Sequence, residues 1–129
     1  MLKIITIDDD PIVRTLIKKT FTGIGFEVIT AADGFEGLQA IERYHPDIIF
    51  LDIMMPIIDG IEVLKRIKAK PQIANIPVIM FTAVSDGQMV VESSKFGAED
   101  YIIKPFQSSV LIKKVNELLK NKYRNLVNR

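Results

Sequence analysis

Leu2-Lys3-Ile4-Ile5-Thr6-Ile7-Asp8-Asp9-Asp10-Pro11 is a short apolar run that ends in three carboxylates and then meets a proline. A run of this length, continuous and Ile-rich instead of alternating, reads as a strand buried on both faces. Asp10-Pro11 then supplies a helix N-cap and the residue best tolerated in a first helical turn. The beginning of the chain therefore predicts a strand, an acidic turn and a helix in which Ile12, Val13, Leu16, Ile17 and Thr20-Phe21 recur at helical spacing. That helix stops near Gly23 and Gly25. Gly23-Ile24-Gly25 follows a helix, whereas a phosphate loop joins a strand to a helix, so it reads as a turn.

Working outward, the alternation continues. Phe26 to Ala31 is a second strand, and Asp33-Gly34 opens a helix with Leu38, Ala40 and Ile41 inward, ended by His45-Pro46. Ile48 to Leu51 is a third strand, ending at Asp52. Asp59-Gly60 starts a helix with Ile61, Leu64, Lys65 and Ile67 on its stripe, and Pro71 to Pro77 leads into a fourth strand, Val78 to Phe81, which ends at Thr82. Ser85 to Phe96 is a weaker helix, containing Gly87 and the β-branched Val90 and Val91. Tyr101 to Ile103 is a fifth strand ending at Lys104, and Gln107 to Leu119 is a stronger helix carrying Val110, Leu111, Val115, Leu118 and Leu119. Five strands alternating with five helices imply an α/β fold, a doubly wound parallel sheet in one domain, because right-handed crossovers must connect the strands. The flavodoxin-like order 2-1-3-4-5 places strands one and three side by side, with the ligand site outside their carboxyl ends.

The composition agrees. The 129 residues suit a single core, 48% apolar and 26% charged content argues against disorder, and no apolar run approaches the ~20 residues needed to span a bilayer. The N-terminus runs directly into a strand pattern without signal-peptide features, and there is no cysteine to build a disulfide or zinc-thiolate site; a cytoplasmic location is the expectation. Residues 113–129 hold Lys113, Lys114, Lys120, Lys122, Arg124 and Arg129 against Glu117 alone, a net of +5 that leaves −4 for the rest of a chain of net +1. Cations near the negative dipole end of a solvated last helix account for this, and no direct nucleic-acid contact is expected. The division expected is a domain over 1–120 with a basic extension of the last helix over 121–129.

Four of the five strands end in polar residues that differ in chemistry: Asp8, Asp9 and Asp10, then Asp52, then Thr82, then Lys104. Taken singly, Asp10 is a cap, Thr82 a strand-end hydroxyl and Lys104 a solvated cation. Their joint arrival at one sheet edge is what those readings explain poorly. Crowded carboxylates raise one another's proton affinity and call for a compensating cation, for which Mg²⁺, with its preference for oxygen ligands and phosphate, is the economical choice. A metal on Asp8 and Asp9 leaves Asp52 as a carboxylate nucleophile toward phosphorus, with Lys104 and Thr82 facing the charge on the transferred group.

These residues resemble the receiver domain of bacterial two-component response regulators over nearly the whole chain. The resemblance lies in Asp8-Asp9-Asp10-Pro11, in Phe50-Leu51-Asp52-Ile53-Met54-Met55-Pro56 with Asp59-Gly60, in Phe81-Thr82-Ala83 and in Lys104-Pro105-Phe106. It implies that Asp52 is the phosphoacceptor, that Asp9 and the Met54 carbonyl bind Mg²⁺ directly, and that Asp8 acts mainly through bound water. It further implies a cis Lys104-Pro105 peptide and a switch pair of Thr82 and Tyr101. That pair biases a surface made of helix four, strand five and helix five, for which Val90, Ser94, Tyr101 and Lys114 are the candidates. The partners implied are a sensor histidine kinase or histidine phosphotransfer protein upstream, a protein target downstream, and a phosphorylation-dependent dimer. Self-catalysed phosphotransfer and autodephosphorylation, without turnover of a dedicated substrate, make this a switch more than an enzyme.

The sequence also departs from the pattern. The positions two beyond Asp52 and two beyond Thr82, where some receivers carry a water-orienting amide or acid, are Met54 and Val84. A long-lived aspartyl phosphate is the expectation. His45, the single histidine, precedes a proline and is not expected to donate phosphate. Other readings are a receiver belonging to a longer regulator with a DNA-binding or enzymatic output, an aspartyl-phosphate phosphohydrolase, and a flavin-binding domain. Met54 stands where the phosphohydrolase would need an acid, and the acidic turn would repel a flavin phosphate.

Overall fold

The computed structural model describes residues 1–83 and 87–127, with side chains as far as residue 121. Val84, Ser85 and the side chains of the basic tail from Lys122 onward lie outside the described residues. Strands and helices alternate as β1 (Lys3–Ile7), α1 (Pro11–Thr22), β2 (Glu27–Ala31), α2 (Gly34–Tyr44), β3 (Ile48–Asp52), α3 (Gly60–Ala69), β4 (Val78–Ala83), α4 (Gly87–Lys95), β5 (Asp100–Lys104) and α5 (Ser108–Val127). The sheet runs β2-β1-β3-β4-β5 with every neighbouring pair parallel. Ile5 pairs with Ile29 on one side and Ile49 on the other, so β1 lies deep in the sheet. All five residues of β3 are buried, as its unbroken Ile-Ile-Phe-Leu run requires of a strand covered on both faces.

Three helices begin at an aspartate that caps them. Asp10 Oδ1 accepts from Ile12 N at 2.9 Å, Asp33 Oδ1 from Glu36 N at 2.8 Å and Asp59 Oδ1 from Glu62 N at 2.9 Å, each meeting a donor that the helix itself cannot satisfy. α2 ends at His45, which is left-handed at φ 46° and exposed, and Gly25 takes φ 97° in the turn after α1. α5 runs beyond Leu119 to Val127, because residues 120–127 contain neither glycine nor proline to stop it.

Two apolar layers flank the sheet. α1 and α5 bring Ile17, Phe21, Leu111, Val115 and Leu119 against Ile4, Ile48, Phe50, Ile79 and Phe81. α2 and α3 bring Ile41, Val63, Leu64 and Ile67 against Ile5, Ile7, Ile49, Leu51 and Met80, with Met89 of α4 packed alongside. The helical stripes are narrower than their sequence periodicity predicts. Ile12 is 77% exposed and Leu16 38%, so Ile17 and Phe21 carry the burial of α1, and Val110 is likewise exposed. Lys65 is not part of the α3 stripe: Val63 takes the buried position, and the Lys65 ammonium lies 4.4 Å from the Phe96 ring centroid. α4 is the weakest helix of the set, with Ser93 its buried residue and Val91 exposed.

Five phenylalanine rings cross the α1/α5 side of the sheet. Phe26 meets Phe21 edge-on at 5.5 Å, Phe21 meets Phe50 at 5.6 Å, Phe50 stacks on Phe81 at 5.1 Å, and Phe81 stacks on Phe106 at 5.0 Å. Such contacts add to area burial by favourable ring geometry. Phe50, Phe81 and Phe106 lie within two residues of Asp52, Thr82 and Lys104, so the ladder forms a rigid base under the carboxyl edge of the sheet.

Candidate functional site

Because β1, β3, β4 and β5 are parallel, Asp8, Asp52, Thr82 and Lys104 emerge at one edge. The register fixes their relative heights: Asp52 stands opposite Phe81, and Ala83 opposite Lys104. Asp8 and Thr82 are buried at 0% and 2% exposure, and Asp52 at 5%, while Asp9 is open to solvent. Carboxylate oxygens of Asp8, Asp9 and Asp52 lie within 4.8 Å of one another. Lys104 Nζ donates to Asp8 Oδ2 at 2.8 Å and stands 3.4 Å from Asp52 Oδ1. The Lys104-Pro105 peptide is cis.

Asp8 is the most fully tied of these residues. Its amide donates to Ala31 O at 3.1 Å, and its Oδ1 accepts from Asp10 N at 2.9 Å. Its carbonyl accepts from Arg14 Nη1 at 2.7 Å. Asp52 is held through the backbone of the next turn, where Gly60 N donates to Ile53 O at 2.8 Å. A Cβ at Gly60 would lie 2.1 Å from Asp52 O, so only glycine permits α3 to start this close to the strand end.

The electrostatics are lopsided. Burial, reinforced by the charge of Asp8 and the hydrogen bond with Asp9, outweighs Lys104 and raises the Asp52 carboxyl to about 7. Burial pulls the Lys104 ammonium down, but the hydrogen bond and charge of Asp8, joined by Asp52, overcome it and leave its pKa raised. Three carboxylates thus face one ammonium that is bonded mainly to Asp8. A small divalent cation with several remaining water ligands fits this donor set: all three residues offer oxygen, and one of them is open to solvent.

Asp8, Asp9, Asp52 and Lys104 come together as a cluster, with Thr82 at the adjoining strand end. The Thr82 hydroxyl donates to Ala83 O at 3.1 Å. Met54 is exposed just beyond Asp52. Asp10 caps α1 and is not among the clustered carboxylates. Tyr101 is 44% exposed on β5 opposite Met80, Ser94 is exposed, Val90 is half-buried, and Lys114 is held by Asp100 at 3.0 Å. Sequence reasoning missed Arg14 and the close approach of Gly60. The first could have been sought as a long cation one turn into the helix behind an acidic cluster.

Comparison with known proteins agrees with this arrangement. The family described as Response regulator receiver domain matches residues 4–116. The chain is 37% identical over 118 residues to a probable transcriptional regulator, ycf27, of Porphyridium aerugineum, covering 92% of this chain and 48% of that one. It is 41% identical over 123 residues to the chemotaxis protein CheY of Listeria monocytogenes, covering 93% of this chain and 100% of that one. The chain therefore spans about half the length of some curated relatives and the full length of others. Among solved structures it is similar to the chemotaxis protein CheY4 of Vibrio cholerae, with TM-score 0.86, 30% identity and coverage of 92% and 98%. Fold, strand order, acidic edge and sequence similarity converge, and the chain belongs to the response regulator receiver domain family.

Proposed function

We propose that this receiver is a Mg²⁺-dependent phosphoryl-accepting switch, with Asp52 as the acceptor. The observation that carries the reading is the convergence of Asp8, Asp9 and Lys104 on the buried Asp52 at the carboxyl edge of the sheet. Asp8, Asp9, Asp52 and the Met54 carbonyl would hold Mg²⁺, Asp8 partly through water, and the metal when bound supplies positive charge for the phosphoryl oxygens. Asp52 attacks phosphorus as the bond to a donor histidine nitrogen breaks, giving an aspartyl phosphate and the free imidazole. Lys104 and the Thr82 hydroxyl donate to the phosphoryl oxygens, which requires Thr82 to leave Ala83 O.

The donor histidine belongs to a sensor kinase or phosphotransfer protein. Rotation of Thr82 frees space for Tyr101 to turn inward, and the α4-β5-α5 surface around Val90, Ser94 and Lys114 changes for a protein target or a second receiver. The product is an altered surface, with autodephosphorylation resetting it in the cytoplasm. Residues 1–120 form the receiver, and the basic stretch 121–129, whose last two residues lie outside the described ones, follows it. Relatives of about twice this length support a second arrangement, in which this receiver precedes an output domain in a longer regulator.

Intact-protein mass after incubation with acetyl phosphate and Mg²⁺, beside the Asp52→Asn variant and a chelator control, tests the reading. A phosphoryl adduct that needs both Asp52 and Mg²⁺ is expected; no adduct with any donor overturns it.

A further inference from the structure

The geometry points to Arg14 as a positioning residue for the acidic turn, acting on Asp9 through the backbone on either side of it. This inference rests on the Mg²⁺ reading above. Arg14 N donates to Asp10 O at 3.1 Å in the first turn of α1, and the half-buried side chain folds back so that Nη1 donates to Asp8 O at 2.7 Å. That carbonyl belongs to the planar Asp8–Asp9 peptide, so the bond fixes the plane entering Asp9. Asp10 N, which belongs to the Asp9–Asp10 peptide, is fixed on Asp8 Oδ1 at 2.9 Å. Both peptides flanking Asp9 are thereby oriented, one of them by Arg14. Asp9 is the exposed member of the three-carboxylate cluster, so the direction of its side chain depends on its backbone more than on packing.

The arrangement separates position from charge. Arg14 places a cation beside the turn that carries two of the three carboxylates, and by Coulomb's law alone this opposes binding of a second cation. Its hydrogen bond, short and charge-assisted, acts the other way by holding a ligand ready. The two effects on Mg²⁺ affinity differ in sign. Loss of a partner that orients a metal ligand typically weakens affinity roughly tenfold or more.

Calorimetric titration of the full chain with Mg²⁺ alone, in wild type, Arg14→Ala and Arg14→Lys, reads that sign. Positioning predicts roughly tenfold weaker binding in Arg14→Ala, recovered in good part by the lysine that keeps a donor. It also predicts faster amide hydrogen exchange at Asp10 in metal-free Arg14→Ala. Equal or tighter binding by Arg14→Ala, with exchange at Asp10 unchanged, overturns the inference and leaves the metal reading standing. Wild type that takes up no Mg²⁺ overturns both. Arg14→Leu, which removes both charge and donor while keeping a bulky side chain, carries the same test should the alanine variant not fold.

Discussion

Lys104 donates to Asp8 at 2.8 Å while standing 3.4 Å from Asp52, so its ammonium is directed to the fully buried aspartate and Asp52 is left under-compensated. A carboxyl in this position prefers its proton. This is why burial and the neighbouring Asp8 charge raise it to about 7 from an ordinary value of 3.8.

The consequence is a stability that depends on pH when no metal is bound. Between about pH 4 and 7 the folded chain holds a proton on Asp52 that the unfolded chain has released, so stability falls as pH rises through that window and levels off above it. The full effect is on the order of 4 kcal/mol, since the rise from 3.8 to about 7 is about three units and each corresponds to about 1.4 kcal/mol. Asp52→Asn removes the titrating group. In the presence of EDTA its advantage over wild type is expected to grow from near zero at pH 4.5 to several degrees of Tm at pH 8. A gap that does not change with pH would show that Asp52 titrates normally in the folded protein.

Thr6 is fully buried in β1, between Thr30 and Phe50, and its hydroxyl has no hydrogen-bond partner among the described residues. A buried hydroxyl without a partner costs about 1–3 kcal/mol. Valine keeps the branched shape that suits a strand while removing the oxygen. Thr6→Val should raise the urea midpoint by an amount equivalent to roughly 1 kcal/mol, with an unchanged slope. A lower midpoint would mean that the hydroxyl is satisfied in solution.

Ile57 takes φ 72°, with Ile58 N donating to Pro56 O at 2.8 Å, so the loop after β3 closes in a tight three-residue turn with a β-branched residue at its centre. This is the positive-φ form of such a turn, rare and strained, and a side chain branched at Cβ adds to the crowding. Ile57 is also 86% exposed, so nothing in its packing offsets the strain. Glycine has no Cβ to strain in this conformation, and Ile57→Gly should stabilise the chain by about 1 kcal/mol in chemical denaturation. No gain would indicate that the turn relaxes in solution.

Much of this architecture is legible in the sequence. The Ile-rich runs of β1 and β3 had to be strands because nothing in them alternates, and Asp10, Asp33 and Asp59 mark helix starts that all carry the expected cap bond. Once the strands are parallel, Asp8, Asp52, Thr82 and Lys104 must share an edge. What periodicity does not resolve is which of two adjacent apolar positions is buried, hence Ile17 is inside and Leu16 outside. It is equally silent on partner choice among like groups. That Lys104 prefers Asp8 to Asp52, that Arg14 reaches Asp8 O, and that Lys68 donates to Ala74 O, Ile76 O and Glu99 are consequences of side-chain reach across the folded edge.

The exposed Met54 bears on the lifetime of the proposed aspartyl phosphate. Hydrolysis of an aspartyl phosphate needs a water placed in line with the acyl oxygen, and a side chain that can hydrogen-bond this water lowers the barrier. Met54, 61% exposed two residues beyond Asp52, offers only a weakly accepting thioether. The phosphorylated chain is therefore expected to lose its phosphate slowly. Met54→Asn places an amide at the mouth of the site and should shorten the phosphate lifetime several-fold, with little effect on folding because the residue is exposed. The decay of the phosphorylated mass after donor removal, in excess Mg²⁺, measures this directly. Equal lifetimes in both proteins would show that the water is oriented from elsewhere, and a short lifetime in wild type would remove the premise.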